Sequence, residues 1–509
     1  MKHLYKYFIL TLCIGLLYSC DLDIAPSDSL TGDQMAESPS GLEDIINGCY
    51  AILKDDQDGQ SSNCWYLRQY YQMSDFSSDD IVYGHETSDN LNMIFRYDDR
   101  DSGLENLTSF WINNYKVIYA ANVALDIADR MEATQEVDWI KGEALFLKAF
   151  AMHNLVRLYA KPYSATNAST PGIIIRESNI DTDNKARATV GETYDYILQC
   201  LTQAEALMDG AESSRSSSKG FASLGTVQAM LSRVYLYMED NQKCIEYSTK
   251  VIESGNYTLE TPESFPTYYR NAPQRDETIW CVIMISADNQ QSASLASMIM
   301  SGEGCWAEEG YTRGLLEDMG TGTDLVSLDS RFSFLQEPIQ KNGLTIYPCS
   351  KHSWQDGEIT SISPVIFRLS EMYLNRAEAY AKTSQTEKAL ADVNEIRKHR
   401  IDVAGWNEFL YTSADLTGTT IVDLVLKEKR VEFSFEAHRF YDLMRNGKDI
   451  VRNYWGFHIL TYAPGQSIST LPGLNTQGVF TPNNYERLIF PIPKQEVGNN
   501  PMCEQNPGY

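Results

Sequence analysis

Basic residues are scarce in this 509-residue chain: 42 Lys and Arg stand against 69 Asp and Glu, for a formal charge of -27. A field of that sign repels phosphate before contact forms, which disfavours nucleic acid and anionic lipid headgroups as partners. After the first twenty residues, no stretch offers the ~20 apolar residues that a membrane helix needs. The ten cysteines include no CxxC pair and no His at zinc-finger spacing, so metal sites of that class are absent. No GxSxG elbow, HExxH, Walker A loop or complete GxGxxG occurs, and His85-Glu86 lacks a second histidine. The expectation is a protein that is not an enzyme and needs no cofactor.

What the chain does have begins at its first residues. Lys2 and Lys6, an apolar run from Phe8 to Leu17 and the ending Leu17-Tyr18-Ser19-Cys20 describe a secretory signal over residues 1–19. The ending resembles a lipobox, which implies lipid on Cys20 and a chain anchored to a membrane without spanning it. The acidic stretch from Asp21-Leu22-Asp23 resembles the export signal that sends Bacteroidota lipoproteins to the cell surface.

Helical periodicity dominates the first half. Val117, Ala121, Ala124, Ala128 and Met131 share a face, and Trp139 to Tyr159 continues with Ala144, Leu147, Phe150, Leu155 and Leu158. Small residues facing bulky ones let antiparallel helices approach closely. Two later segments carry the spacing of a tetratricopeptide repeat. Tyr235 precedes Cys244 by nine residues and Ser248 by thirteen, and Tyr380 precedes Ala389 and Val393 by the same steps. They are not tandem, because a segment from about 258 to 363, rich in Gly, Ser, Asn and Pro, lies between them. That segment predicts long loops with short strands, such as Thr278 to Ile285. Long loops in a compact protein are usually functional. The polar run Ser213 to Lys219 predicts a plain surface connector.

In the second half, Glu428, Glu432 and Glu436 at i, i+4 spacing predict one helix face shared with Arg439 and engaged in structural ion pairs. A metal site is disfavoured there, since Glu436-x-His438 places the imidazole about 200° round a helix.

Four segments, in order, resemble the SusD/RagB family of surface nutrient-binding lipoproteins. They are Gly142 to Tyr159, Phe367 to Ala381 with Val393 to Arg397, Leu426 to Gly447, and the tail Phe490-Pro-Ile-Pro493 with Asn499-Asn-Pro501 and Asn506-Pro-Gly508. The resemblance runs over essentially the whole length and implies a mostly α, SusD-like fold. It would consist of a tetratricopeptide-type scaffold, about 104–257 and 364–447, within one domain over 20–509. Loop-rich parts, about 55–103, 258–363 and 448–509, would bind ligand. It further implies a lid over a SusC-like TonB-dependent transporter at the outer membrane, with no catalytic or metal residues.

A glycan site wants exposed aromatic platforms flanked by polar groups, because sugar faces are apolar C–H surfaces rimmed by hydroxyls. Tyr83 and Tyr97, which bracket a loop with His85 and Asn90, are candidates. Trp306 and Tyr311 beside Arg313, and Trp354, are the others. Trp111 and Trp139 are expected in the core. The leading expectation is glycan capture. Peptide capture by the same kind of lid is the alternative, and a surface glycoside hydrolase using loop acids such as Asp79, Asp80 and Glu86 is a further one.

Overall fold

The computed structural model describes residues 39–55, 64–83, 91–97, 100–341, 344–452, 477–482 and 484–509. The signal segment and Cys20 lie outside them. Helices α1 (Pro39–Ile52), α2 (Tyr66–Asp75), α3 (Glu105–Ala128), α4 (Gln135–Tyr159) and α5 (Val190–Met208) form the first half. The protein is mostly helical, with only short strands. Helix α4 explains why. It is buried continuously from Gly142 to Val156, with Glu143, Lys148, His153 and Asn154 enclosed among its apolar residues. It packs on α1, α3 and α5 at once. Its start is set by Thr134, whose hydroxyl accepts from the Val137 N–H at 3.3 Å. A capping box of Thr189 and Glu192 starts α5 in the same manner.

The two repeat-like segments are helical hairpins: α6 (Leu224–Tyr237) with α7 (Asn241–Glu253), and α8 (Leu369–Lys382) with α9 (Thr386–Lys398). Each turns through a left-handed residue, Glu239 and Ser384. The spaced small residues do what their size predicts, since Cys244, Ser248, Ala389 and Val393 are all fully buried. Although not tandem in sequence, the hairpins stack in space, α7 against α8. At the junction the Cys244 thiol donates to the Asn375 carbonyl at 3.6 Å, and Ser232 and Ser248 hydroxyls meet at 2.7 Å. The intervening segment returns to the scaffold by strand β2 (Thr278–Cys281), which pairs antiparallel with β4 (Val365–Arg368), the strand that leads into α8.

The Glu/Arg segment departs from a single helix. Helix α10 (Ile421–Glu432) ends at Glu432, and Phe435 and Ala437 adopt positive φ before α11 (Arg439–Arg445) begins. Glu428 and Glu432 share a face, but Glu436 and Arg439 do not join it. Their ion pairs are long-range instead. Glu428 takes Arg331 at 2.6 Å and Arg397 at 2.7 Å, and Glu432 takes Arg400 at 2.8 Å and Arg368 at 2.5 Å. Glu436 takes Lys351 at 2.7 Å and Arg368 at 2.9 Å. Glu277 holds Arg368 and Arg400 from the other side, at 2.9 and 2.6 Å. All of these side chains are buried. Burial alone would raise the Glu436 carboxyl, yet Arg368 and Lys351 outweigh it and bring it down to about 2. Burial likewise opposes ionisation of Glu432, and Arg400, Arg368 and Arg331 still hold it well below the usual carboxylate range.

The C-terminal tail docks onto the helices. Arg100 lies 3.8 Å over the Phe490 ring and donates to the Arg487 and Leu488 carbonyls, at 2.9 and 3.1 Å. The Asn506 amide donates to the Tyr159 and Phe490 carbonyls, both at 2.7 Å.

Glu432→Ala would leave the Arg368 and Arg400 guanidiniums short of a buried counter-charge, so a loss of about 3–5 kcal/mol is expected in urea unfolding. For these lowered carboxylates, stability is present above their unfolded pKa near ~4.3 and is lost as pH falls towards the folded values. A thermal melt series should therefore collapse below about pH 4 in the wild type.

Candidate functional site

The loop-rich face is built on a small layer of strands. Strand β1 (Ile81–Tyr83) pairs antiparallel with β3 (Glu309–Tyr311), Tyr83 lying opposite Glu309. Asp79 and Asp80, just before β1, are buried. Arg439 grips Asp79 at 2.8 Å, and Arg430 grips Asp80 at 2.6 Å. They anchor the loop to α10 and α11, which corrects their reading as candidate cleft acids. Glu86 lies outside the described residues.

Two of the candidate aromatics prove to be core. Tyr97 has no exposed surface: its hydroxyl donates to the Ser77 carbonyl at 2.7 Å, and Arg100 and Arg452 cover its ring at 4.6 and 4.7 Å. Tyr311 is 3% exposed, its hydroxyl donates to the Cys349 sulfur at 3.2 Å, and its ring meets Phe435 at 4.8 Å. Neither can present a face to a ligand. Arg313, next to Tyr311, is exposed and pairs with Glu317 at 3.3 Å. Tyr83 belongs to β1, while its side chain, His85 and Asn90 lie outside the described residues. Trp111 and Trp139 are buried, as expected.

Trp306 and Trp354 are different, with 50% and 39% of their surface exposed. Each sits on a strained loop. Among the described residues, eight non-glycine positions have positive φ, and four of them are Gln291, Ala307, Trp354 and Asp356. A bulky residue in that region persists only where its surroundings over-determine it. The surroundings here are hydrogen bonds within and between the two loops. The Trp306 indole N–H donates to the Ser292 carbonyl at 2.8 Å. The Asn289 amide donates to Glu358 at 2.7 Å and its oxygen accepts from the Thr360 hydroxyl at 3.1 Å. The Gln355 amide donates to the Met284 carbonyl at 2.7 Å. Between these loops and α2 runs a narrow crevice whose lining mixes apolar residues such as Leu67, Met284 and Ile362 with Arg68, Asp288 and Asn289. Asp288 is held by Lys54 at 3.1 Å. Such a surface can stack on an apolar face and offer donors and acceptors at its rim.

A buried chain of polar groups leads inward from the cleft. Arg68 Nε donates to Gln72 Oε1 at 2.9 Å, and Gln72 Nε2 donates to Glu309 Oε1 at 3.0 Å. Burial, then the neighbouring Asp75, push the Glu309 carboxyl well above its usual range. Burial and Asp80 do the same to Asp75. These carboxyls resist ionisation, and no group of three or more His, Cys, Asp or Glu among the described residues is arranged to hold a metal ion.

The architecture defines a class: a helical-repeat scaffold that carries a loop-built recognition face. Residues 335–509 match the SusD family, and residues 22–236 match a SusD-like family described as "Starch-binding associating with outer membrane". Both matches, one towards each end of the chain, are to SusD-type families. The chain is 23% identical over 540 residues to a SusD-like protein of Formosa agariphila, covering 99% of each chain. A SusD superfamily protein of Bacteroides thetaiotaomicron superposes with a TM-score of 0.78 at 24% identity, over 92% of this chain and 100% of that one. A putative sugar binding protein of Bacteroides vulgatus superposes with a TM-score of 0.75 at 26% identity, over 92% and 98%. Among the described residues, no helix is long and apolar enough to cross a membrane.

A carboxyl with a raised folded pKa costs nothing below its unfolded pKa and penalises the fold as pH rises towards the folded value. Glu309→Gln, which keeps the shape of the neutral form, is therefore expected to match the wild type near pH ~4 and to melt at higher temperature than the wild type at pH ~8. Paired calorimetric scans at the two pH values check this.

Proposed function

We propose that the chain is a cell-surface lipoprotein, tethered by lipid on Cys20, that captures glycan on its loop face and hands it to a SusC-like TonB-dependent outer-membrane transporter. In this reading residues 20–509 act as one SusD-like domain. The helical scaffold serves as the rigid base, and Trp306 and Trp354 are the stacking platforms. The observation that carries it is the pair of exposed tryptophans on interlocked, strained loops. Support comes from the family description, which names starch binding and the outer membrane, and from the relative described as a putative sugar binding protein.

Capture without conversion is favoured by the neutralisation of Asp79 and Asp80 by Arg439 and Arg430. A hydrolase would need a carboxylate pair free to exchange protons with substrate at about 5–9 Å separation. Affinity for one sugar unit would be modest, and repeated contact along a polymer would raise it through avidity.

Affinity electrophoresis of the purified protein in gels containing α- or β-linked glucans and other polysaccharides, followed by calorimetry, tests this directly. Retention on a polysaccharide is expected, and Trp306→Ala or Trp354→Ala should weaken it about tenfold, equivalent to ~1.4 kcal/mol. Tyr97→Ala and Tyr311→Ala should instead lower the melting temperature, because they open core cavities worth about 3–5 kcal/mol. Silence on every glycan together with heat on peptides would overturn the glycan reading in favour of peptide capture.

A further inference from the structure

The loops that bear the two exposed tryptophans carry charge of one sign. From Glu277 to Thr312, and again from His352 to Phe367, the chain contains no Lys or Arg. Four acidic residues of these stretches reach the surface: Asp288, Glu303, Asp356 and Glu358. Lys54 pairs with Asp288 at 3.1 Å. The other three are exposed and make no ion pair among the described residues. On the scaffold, by contrast, surface acids such as Glu246 and Glu395 pair with lysines one helical turn away, Lys243 at 2.9 Å and Lys398 at 3.7 Å.

The three carboxylates stand where the two loops abut. A Cβ at Gly302 would come 2.6 Å from Ile359 Cδ1, so Glu303, which follows Gly302, and Glu358, which precedes Ile359, flank one contact. The Glu358 carboxylate is held across it by the Asn289 amide at 2.7 Å. Asp356 lies two residues from Trp354 on a turn in which both are left-handed, at φ 54° and 71°. The Gln355 N–H closes that turn onto the Ser361 carbonyl at 3.1 Å. The charges are therefore placed beside the rings before a ligand arrives, which reduces the ordering cost of binding. They are not grouped as a metal site among the described residues, and the complement they fit is an organic cation.

An ammonium beside such a surface gains twice, from the carboxylates and from the negative faces of the indole rings. A carboxylate or sulfate loses on both counts. An amino sugar joins the ammonium to an apolar C–H face that stacks on tryptophan. We propose that the loop face selects glycans whose units carry a free ammonium, as glucosamine does, over neutral and acidic ones. Glu303, Asp356 and Glu358 are the specificity-determining residues. Selection of this kind rests on Trp306 and Trp354 being glycan platforms, and it adds the charge of the sugar to that reading.

Calorimetry of the purified protein at low ionic strength can compare three β-linked series of equal length that differ only in the group on the second carbon. Cello-oligosaccharides carry a hydroxyl there, chitin oligosaccharides an acetamide and glucosamine oligosaccharides an ammonium. The glucosamine series is expected to bind about tenfold tighter than the other two, and oligogalacturonate to give no heat. The preference should vanish above the pKa of the sugar amine, where the unit turns neutral. The double variant Asp356→Asn, Glu358→Gln keeps both shapes and the acceptor for Asn289, so it should melt like the wild type. It should shrink the preference to about twofold and leave neutral oligosaccharides unaffected. Trp306→Ala and Trp354→Ala should weaken every series. Equal affinity across the three series, silence with the glucosamine series, or a preference untouched in the double variant or the tryptophan variants would overturn the proposal. In each of those cases retention on a neutral polysaccharide would leave glycan capture standing, whereas silence on every glycan would remove both. Trilysine binding tighter than the glucosamine series would overturn it in favour of basic peptides.

Discussion

Glu432 is the point on which the architecture depends. Its carboxylate lies fully buried at the end of α10, where guanidiniums from three separate parts of the chain converge. Arg331 comes from the loop-rich segment, Arg368 from the strand entering α8, and Arg400 from the end of α9. Taking these charges out of water costs several kcal/mol per ion, and only close, multiple pairing offsets it. Misplacing any one strand, loop or helix would strand a charge in the interior. The network therefore couples the position of the loop segment to that of the scaffold. Glu428 and Glu436 extend it on either side, to Arg397 and to Lys351.

That coupling explains how a face made of loops can act as a rigid one. The α6–α7 and α8–α9 hairpins supply a base whose close packing follows from small residues at the crossings. The segment between them is tied down at β2, at Arg331 and at Lys351, leaving its outer loops to carry strain at Trp354, Asp356, Gln291 and Ala307. Strained backbone held by a cross-linked network is a preorganised surface, and preorganisation is what weak stacking on a sugar ring needs. The acidic surface is compatible with this, because neutral sugars are recognised by stacking and hydrogen bonds.

The helices and the repeat spacing were legible because their signals are local. A step of nine and thirteen residues from Tyr235 or Tyr380 expresses the geometry of one hairpin, and burial of Cys244, Ser248, Ala389 and Val393 follows from it. The choice among loop aromatics was not legible. Tyr97 and Trp306 both stand in polar loop sequence, yet Tyr97 is enclosed by Arg100 and by Arg452, a residue far along the chain, whereas Trp306 is not enclosed. The i, i+4 row of glutamates was half legible. Its ion-pairing character followed from composition, but the chain leaves the helix after Glu432, so Glu436 meets Lys351 and Arg368 instead of Arg439.

The sequence by itself determined the helical scaffold, the alternation of repeat and loop, and the ordered segments that mark the SusD family, because periodicity and short motifs act within a few turns of chain. Tertiary structure alone decided that the two hairpins stack, which carboxylates are neutralised and which tryptophans face solvent. Each of these depends on residues tens to hundreds of positions apart, brought together by the packing of the whole core and by the need to pair every buried charge.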